Sequence, residues 1–240
     1  QRMYHPQGYI TSSINLGALY LDKGLLQKAK ELFEKILKAA REIASPLYES
    51  AILTNLGDIH YQSEHYDGAK ECFRDALVIS QRIEDQEGTA MNLLGLAKVS
   101  LALKEWKEAK EHLEASLEGF QRLNNAGGMS DSYFYSSLWF LERGEWQEAL
   151  EDAERSEKYA MECFNEQKRA RALCMKGRIY QRKENWTVSL DYLTDAITIY
   201  ESVDSEYDLA KSYYFRAISY RKLKMVKEAE NDYEKAQENI

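Results

Sequence analysis

The chain has 240 residues, 44% of them apolar, a composition that excludes a disordered polymer and provides for a buried core. Its net charge of −8 leaves no global positive field to draw in a phosphate backbone, which argues against nucleic acid as the partner. Only two prolines occur, Pro6 and Pro46, so long stretches rich in Leu, Ala, Glu, Lys and Gln are free to be helical.

Taken from the N-terminus, residues 1–9 read as a leader and residues 10–240 as six copies of one unit, with approximate bounds 10–49, 50–89, 90–129, 130–169, 170–209 and 210–240. Two columns of small residues recur every 40 positions: Gly17, Gly57, Ala97, Ser137, Gly177 and Ala217 in a first helix, and Ala29, Ala69, Ala109, Ala149, Ser189 and Ala229 in a second. One turn beyond the first column lie Tyr20, His60, Ser100, Phe140, Tyr180 and Tyr220, on the same helix face. The second helix opens at Leu26, Tyr66, Trp106, Trp146, Trp186 and Val226, and seven residues on presents Phe33, Phe73, Leu113, Ala153, Leu193 and Tyr233. Small residues let two helices approach while the large ones fill the space beside them. The recurring tryptophans are therefore expected in the core.

Short turns such as Lys23-Gly24 and Arg143-Gly144 divide the two helices of a copy. Richer loops such as Ser45-Pro46 and Asn124-Asn125-Ala126-Gly127-Gly128 divide one copy from the next. Each copy thus reads as a helix, a tight turn, a longer helix and a loop. Copies three, four and six depart locally, with Ser100 in the aromatic column, Ser136-Ser137 in place of Leu-Gly, and Arg216 before Ala217, and less regular packing is expected there.

Leu16-Gly17 with Tyr20, Ala29 and Phe33, and Leu56-Gly57 with Ala69, Phe73 and Ala76, resemble the signature of the tetratricopeptide repeat family, in its longer 40-residue variety. The resemblance covers residues 10–240. It implies an all-α fold, a right-handed superhelical solenoid of six helix-turn-helix repeats, with a concave groove lined by the first helices.

Along those first helices the stripe beside the packing columns begins Thr11, Asn15, Ala18, Asp22, then Ala51, Asn55, Asp58, Gln62, then Met91, Gly95, Lys98, Ala102. In the last three copies it turns basic and partly apolar: Asp131, Tyr135, Leu138, Glu142; then Arg171, Met175, Arg178, Arg182; then Lys211, Phe215, Ile218, Lys222. Arg171, Arg178, Arg182, Lys211 and Lys222 are candidates to hold carboxylates of a partner's acidic segment, and Tyr135, Leu138, Met175 and Phe215 to receive its apolar side chains. The resemblance implies that Asn15 and Asn55 contact the backbone of an extended peptide, for which an amide offers a donor and an acceptor together.

No catalytic constellation emerges. His60, His65 and Cys72 match no zinc spacing, Gly127-Gly128 belongs to a turn and not to a phosphate loop, and the Glu/Lys-rich second helices read as solvated faces. The expectation is a non-enzymatic scaffold that binds a peptide or protein partner, with no cofactor, metal, nucleic acid or membrane partner. The alternative is a sensor or oligomerisation arm of a multidomain signalling or transcription regulator. Cys72, Cys163 and Cys174, odd in number and far apart, fit a reducing cytoplasmic setting better than a disulfide framework. A start at Gln1 and an end at Ile240 inside a helical pattern fit a piece of a longer chain.

Overall fold

The computed structural model describes residues 6–203 and 205–238, and among these every regular element is an α-helix. The twelve are α1 (Pro6–Asp22), α2 (Leu26–Glu42), α3 (Pro46–Gln62), α4 (Tyr66–Arg82), α5 (Gln86–Ala102), α6 (Trp106–Arg122), α7 (Ala126–Glu142), α8 (Trp146–Glu162), α9 (Glu166–Arg182), α10 (Trp186–Val203), α11 (Glu206–Lys222) and α12 (Val226–Glu238). Residues 6–9, read from sequence as leader, lie in the first turn of α1; residues 1–5 lie outside the described residues. The helices gather into two compact units, Gln1–Leu123 and Asn124–Ile240, each holding three hairpins.

The expected long second helix and long inter-copy loop are not found. First and second helices from α1 to α9 are all 17 residues, and a new helix starts every 20 residues throughout. The turn chemistry explains the uniformity. At the first turn Leu25 N–H donates to the Tyr20 carbonyl (2.8 Å) and Gly24 N–H to the Leu21 carbonyl (3.0 Å), the paired 6→1 and 5→2 bonds of a Schellman cap. The same pair recurs at Ser45, His65, Asp85, Glu105, Glu145, Asn165, Asn185 and Met225 with the residue before each. The cap requires its middle residue in the left-handed region. Gly24 and Gly144 take that position freely, whereas Ala44, Glu64, Glu84, Lys104, Asn124, Phe164, Glu184 and Lys224 take it at φ between 50° and 64°.

Second helices bury one narrow stripe. In α2 it is Ala29, Phe33, Ile36 and Ala40, and in α4 the same 4-3-4 spacing gives Ala69, Phe73, Ala76 and Ser80. First helices bury residues around most of their girth, as α5 does with Ala90, Asn92, Leu94, Gly95, Leu96, Ala97, Val99, Ser100 and Leu101, because each packs on its own partner and on neighbouring hairpins of its unit. The glycine column faces the large-residue column: a Cβ on Gly17 would stand 2.4 Å from the Phe33 ring, one on Gly57 2.7 Å from Phe73, and one on Gly177 2.6 Å from Leu193. A second close approach lies 26 residues apart, where Ser50 Oγ donates to the Ala76 carbonyl (3.1 Å) and Ser116 Oγ to the Ala90 carbonyl (2.9 Å). In the fourth hairpin Ser130 and Ser156 each donate to the other's carbonyl (2.9 and 2.8 Å).

The departures from Leu-Gly are matched across the hairpin. Ser137 Oγ donates to the Ala149 carbonyl (2.7 Å) and Ser136 Oγ to Asp152 (2.5 Å). At the equivalent place in the sixth hairpin Arg216 grips Asp232 with two bonds of 2.7 and 2.9 Å. These hairpins stay regular because each polar intrusion has a polar answer opposite. The tryptophan column is less buried than expected: Trp106 and Trp186 are half-buried, and Trp146 is 41% exposed. Among the described residues no helix is long and apolar enough to cross a membrane.

Candidate functional site

In Gln1–Leu123 the first-helix stripe is largely self-satisfied. Asp58 and Lys98, 40 positions apart, form an ion pair, and the Lys98 ammonium lies over the Tyr61 and Phe73 rings (5.3 and 5.7 Å). Asn15 is exposed. Asn55 is half-buried and spends one amide hydrogen on the Ala51 carbonyl of its own helix (2.7 Å). His60 and His65 meet at the α3–α4 turn with ring centres 5.2 Å apart and planes tilted by 43°; burial, with Lys30 and His65, lowers the His60 pKa. Cys72 packs against the neighbouring apolar cluster instead, and burial pushes its thiol up to about 11. Among the described residues no group of three or more His, Cys, Asp or Glu side chains is arranged to hold a metal ion.

In Asn124–Ile240 the site is governed by α9, which carries six cations: Lys168, Arg169, Arg171, Lys176, Arg178 and Arg182. Four of them meet acids. Lys168 and Arg171 converge on Asp131 of α7, and Lys168 also donates to the Gly127 carbonyl (3.2 Å). Burial pushes the Asp131 carboxyl up, but Arg171 and Lys168 outweigh it and hold the group below its ordinary value. Lys176, 6% exposed, pairs with Glu157 of α8 at 2.5 Å, and Arg169 reaches Glu157 (3.8 Å) and Glu166 (3.2 Å).

Arg178 and Arg182 make no ion pair with a described residue. Arg178 is half-buried and lies over the Phe215 ring of α11, 4.9 Å from guanidinium to ring centre; burial lowers its pKa. Phe215 is itself held, since Gln181 donates to its carbonyl (2.6 Å) and to Ser219 (2.8 Å). Arg182, one turn beyond Arg178, is exposed.

Two sequence expectations need correction. Met175 is 1% exposed and packs with Leu141, Ala149, Ala153 and Ile179, so it is core and offers nothing to a ligand. Arg171 is no open anion receptor, because Asp131 neutralises it and its guanidinium lies over the Phe134 ring at 4.5 Å. The others stay accessible: Tyr135 is half-buried edge-on to Phe134 (5.1 Å), and Leu138 is half-buried beside the Met175 cluster. Lys211 sits over Tyr207 (3.9 Å) and Lys222 over Trp186 (5.5 Å), both exposed. The residue that sequence reasoning undervalued is Asp131. Its signal was the repeat itself, since 131 and 171 stand in the same register as Asp58 and Lys98.

The family model for the tetratricopeptide repeat matches residues 9–82 and 168–239. No curated protein matches the chain. Among solved structures, a Rap protein complexed with competence and sporulation factor is 14% identical, with 97% of this chain and 76% of that one covered and a TM-score of 0.75. NprR in complex with its cognate peptide NprX is 17% identical over 95% of this chain and 66% of that one, with a TM-score of 0.73. BtubC from P. vanneervenii is 15% identical over 89% and 90%, with a TM-score of 0.69.

Proposed function

Because the chain belongs to the tetratricopeptide repeat family, we propose that it is a protein-interaction scaffold and that the first helices of Asn124–Ile240 hold an acidic segment of a partner protein. What carries it is that four of the six cations of α9 pair with acids, while Arg178 and Arg182 form no ion pair with a described residue, Glu142 acting on Arg178 only from beyond ion-pair distance. A guanidinium with one face on an aromatic ring still presents its N–H edge in plane, the geometry that takes a carboxylate by two parallel bonds. Partial burial of Arg178 lowers the local dielectric and strengthens that bond.

Lys211 and Lys222 rest on rings and supply weaker contacts at the edge of the site. Tyr135, Leu138 and Phe215 offer apolar surface between the charges. In Gln1–Leu123, exposed Asn15 and the open carbonyl of Asn55 suit the backbone of an extended segment. NprR, a structure of similar fold, is seen with a peptide, which supports a peptide-sized ligand.

The test is selection of displayed random dodecapeptides on the folded chain, beside Arg178→Gln and Arg182→Glu variants checked by circular dichroism. Peptides enriched on the native chain should carry an excess of Asp and Glu and bind Arg182→Glu at least about tenfold more weakly. An enriched pool with no acidic excess over the starting library would overturn the reading.

A further inference from the structure

Stripe positions 40 apart in neighbouring first helices lie within ion-pair reach, as Asp58 with Lys98 in one unit and Asp131 with Arg171 in the other both demonstrate. A third pair has complementary charge in that register. Glu142 and Arg182 are the last residues of α7 and α9, both exposed, and neither makes an ion pair with a described residue. Glu142 is poorly placed on its own helix, because a carboxylate at a helix C-terminus meets the negative end of the backbone dipole. The adjacent cation gives it no relief: Arg143 is held by Glu145 (2.7 Å) and by the Trp139 ring (4.7 Å).

We infer that Glu142 competes with a partner's carboxylate for Arg182: the two charges stand unpaired in this structure but in a register that elsewhere brings charges into ion-pair reach, so a ligand's carboxylate and Glu142 contend for the same guanidinium. This rests on the acidic-segment reading above and deepens it by naming a residue that sets affinity. A single ligand carboxylate contends with Glu142 at Arg182. A segment that engages Arg178 and Arg182 together does so with the second contact already made effectively intramolecular. Four residues along a helix is about 6 Å, and two residues along an extended chain about 6.6 Å, so acidic residues at alternate positions match the two arginines. Glu142 therefore weakens every contact made at Arg182, and an acid two positions away that is held by Arg178 offsets the loss.

The experiment takes the tightest acidic peptide from the selection on the native chain, and its counterpart with every Glu and Asp replaced by the amide. Their affinities are measured by calorimetry for the native chain, Glu142→Gln, Arg182→Gln, the double variant, and Glu148→Gln as an exposed carboxylate on the neighbouring helix α8. Glu142→Gln should tighten the acidic peptide about two- to fivefold, the range of an exposed ion pair, and leave the amide peptide unchanged. The gain should vanish in the Arg182→Gln background and fade at high salt. If the native chain binds the acidic peptide but Glu142→Gln gains nothing, or gains no more than Glu148→Gln, or gains equally without Arg182, the competitor assignment fails and the acidic-segment reading stands. If neither the native chain nor Glu142→Gln selects acidic peptides, both fall.

Discussion

Asp131 shows how one carboxylate decides what the residues around it are free to do. By taking both Lys168 and Arg171 it removes Arg171 from the binding stripe and joins α7 to α9. Its folded pKa lies below the unfolded value, so the pair contributes stability in full above about pH 4 and loses it as pH falls through the depressed folded value. Asp131→Asn should cost about 1–3 kcal/mol at pH 7 by leaving two partly buried cations unanswered, and its urea midpoint should converge on that of the native chain in acid. A constant gap down to pH 2 would show that the contact is not ionic. Arg216 and Asp232 give the opposite geometry, a two-bond pair around a carboxylate only 1% exposed. Arg216→Met should cost about 3–5 kcal/mol because Asp232 is left buried without its partner, and Arg216→Met with Asp232→Leu should recover most of the loss. Amide exchange in α11 and α12 reports both effects directly.

At the scale of the element, the 20-residue step from one helix start to the next is set by the turn and not by the helix. The left-handed cap residue is glycine at only two of the ten described turns, so eight carry a steric cost at the same backbone position. Lys104→Gly and Glu64→Gly should each stabilise by about 1 kcal/mol, the left-handed penalty less glycine's greater chain entropy, and raise the unfolding midpoint accordingly. Loss of stability would mean that these side chains make contacts worth more than the backbone strain. The same turns explain what sequence alone conveyed and what it missed. The Gly17 and Phe33 columns stand out because a close approach admits only a small residue against a large one. Equal helix lengths did not stand out, because Glu, Lys and Phe at the caps look like ordinary helix or loop residues. Met175 was misplaced for a related reason. A first helix has neighbours on most sides, so its girth is buried and no periodicity separates a groove residue from one directed at the preceding hairpin. Opposite charges at matching repeat positions, Asp131 with Arg171 among them, were legible in the 40-residue register, but only once adjacent first helices are known to stack in step.

For the whole molecule, 40 acidic residues against 32 basic ones create a field that opposes an acidic partner at a distance, while Arg178 and Arg182 attract it at contact. The two effects act over different lengths. Repulsion by the net charge operates across the approach and is screened over about 8 Å at physiological ionic strength, whereas the contact at half-buried Arg178 is screened far less. Raising salt from low values should therefore hold or increase the association rate while it speeds dissociation from the exposed Arg182 side. Affinity should change no more than the dissociation rate does. Stopped-flow measurements with the selected acidic peptide over a salt series separate the two constants. A steep fall of the association rate with salt would instead mean that the cations of α9 and α11 project a field which overrides the net charge. In that case Lys211 and Lys222, exposed on their rings, steer the encounter, and neutralising them should flatten the salt dependence without altering dissociation.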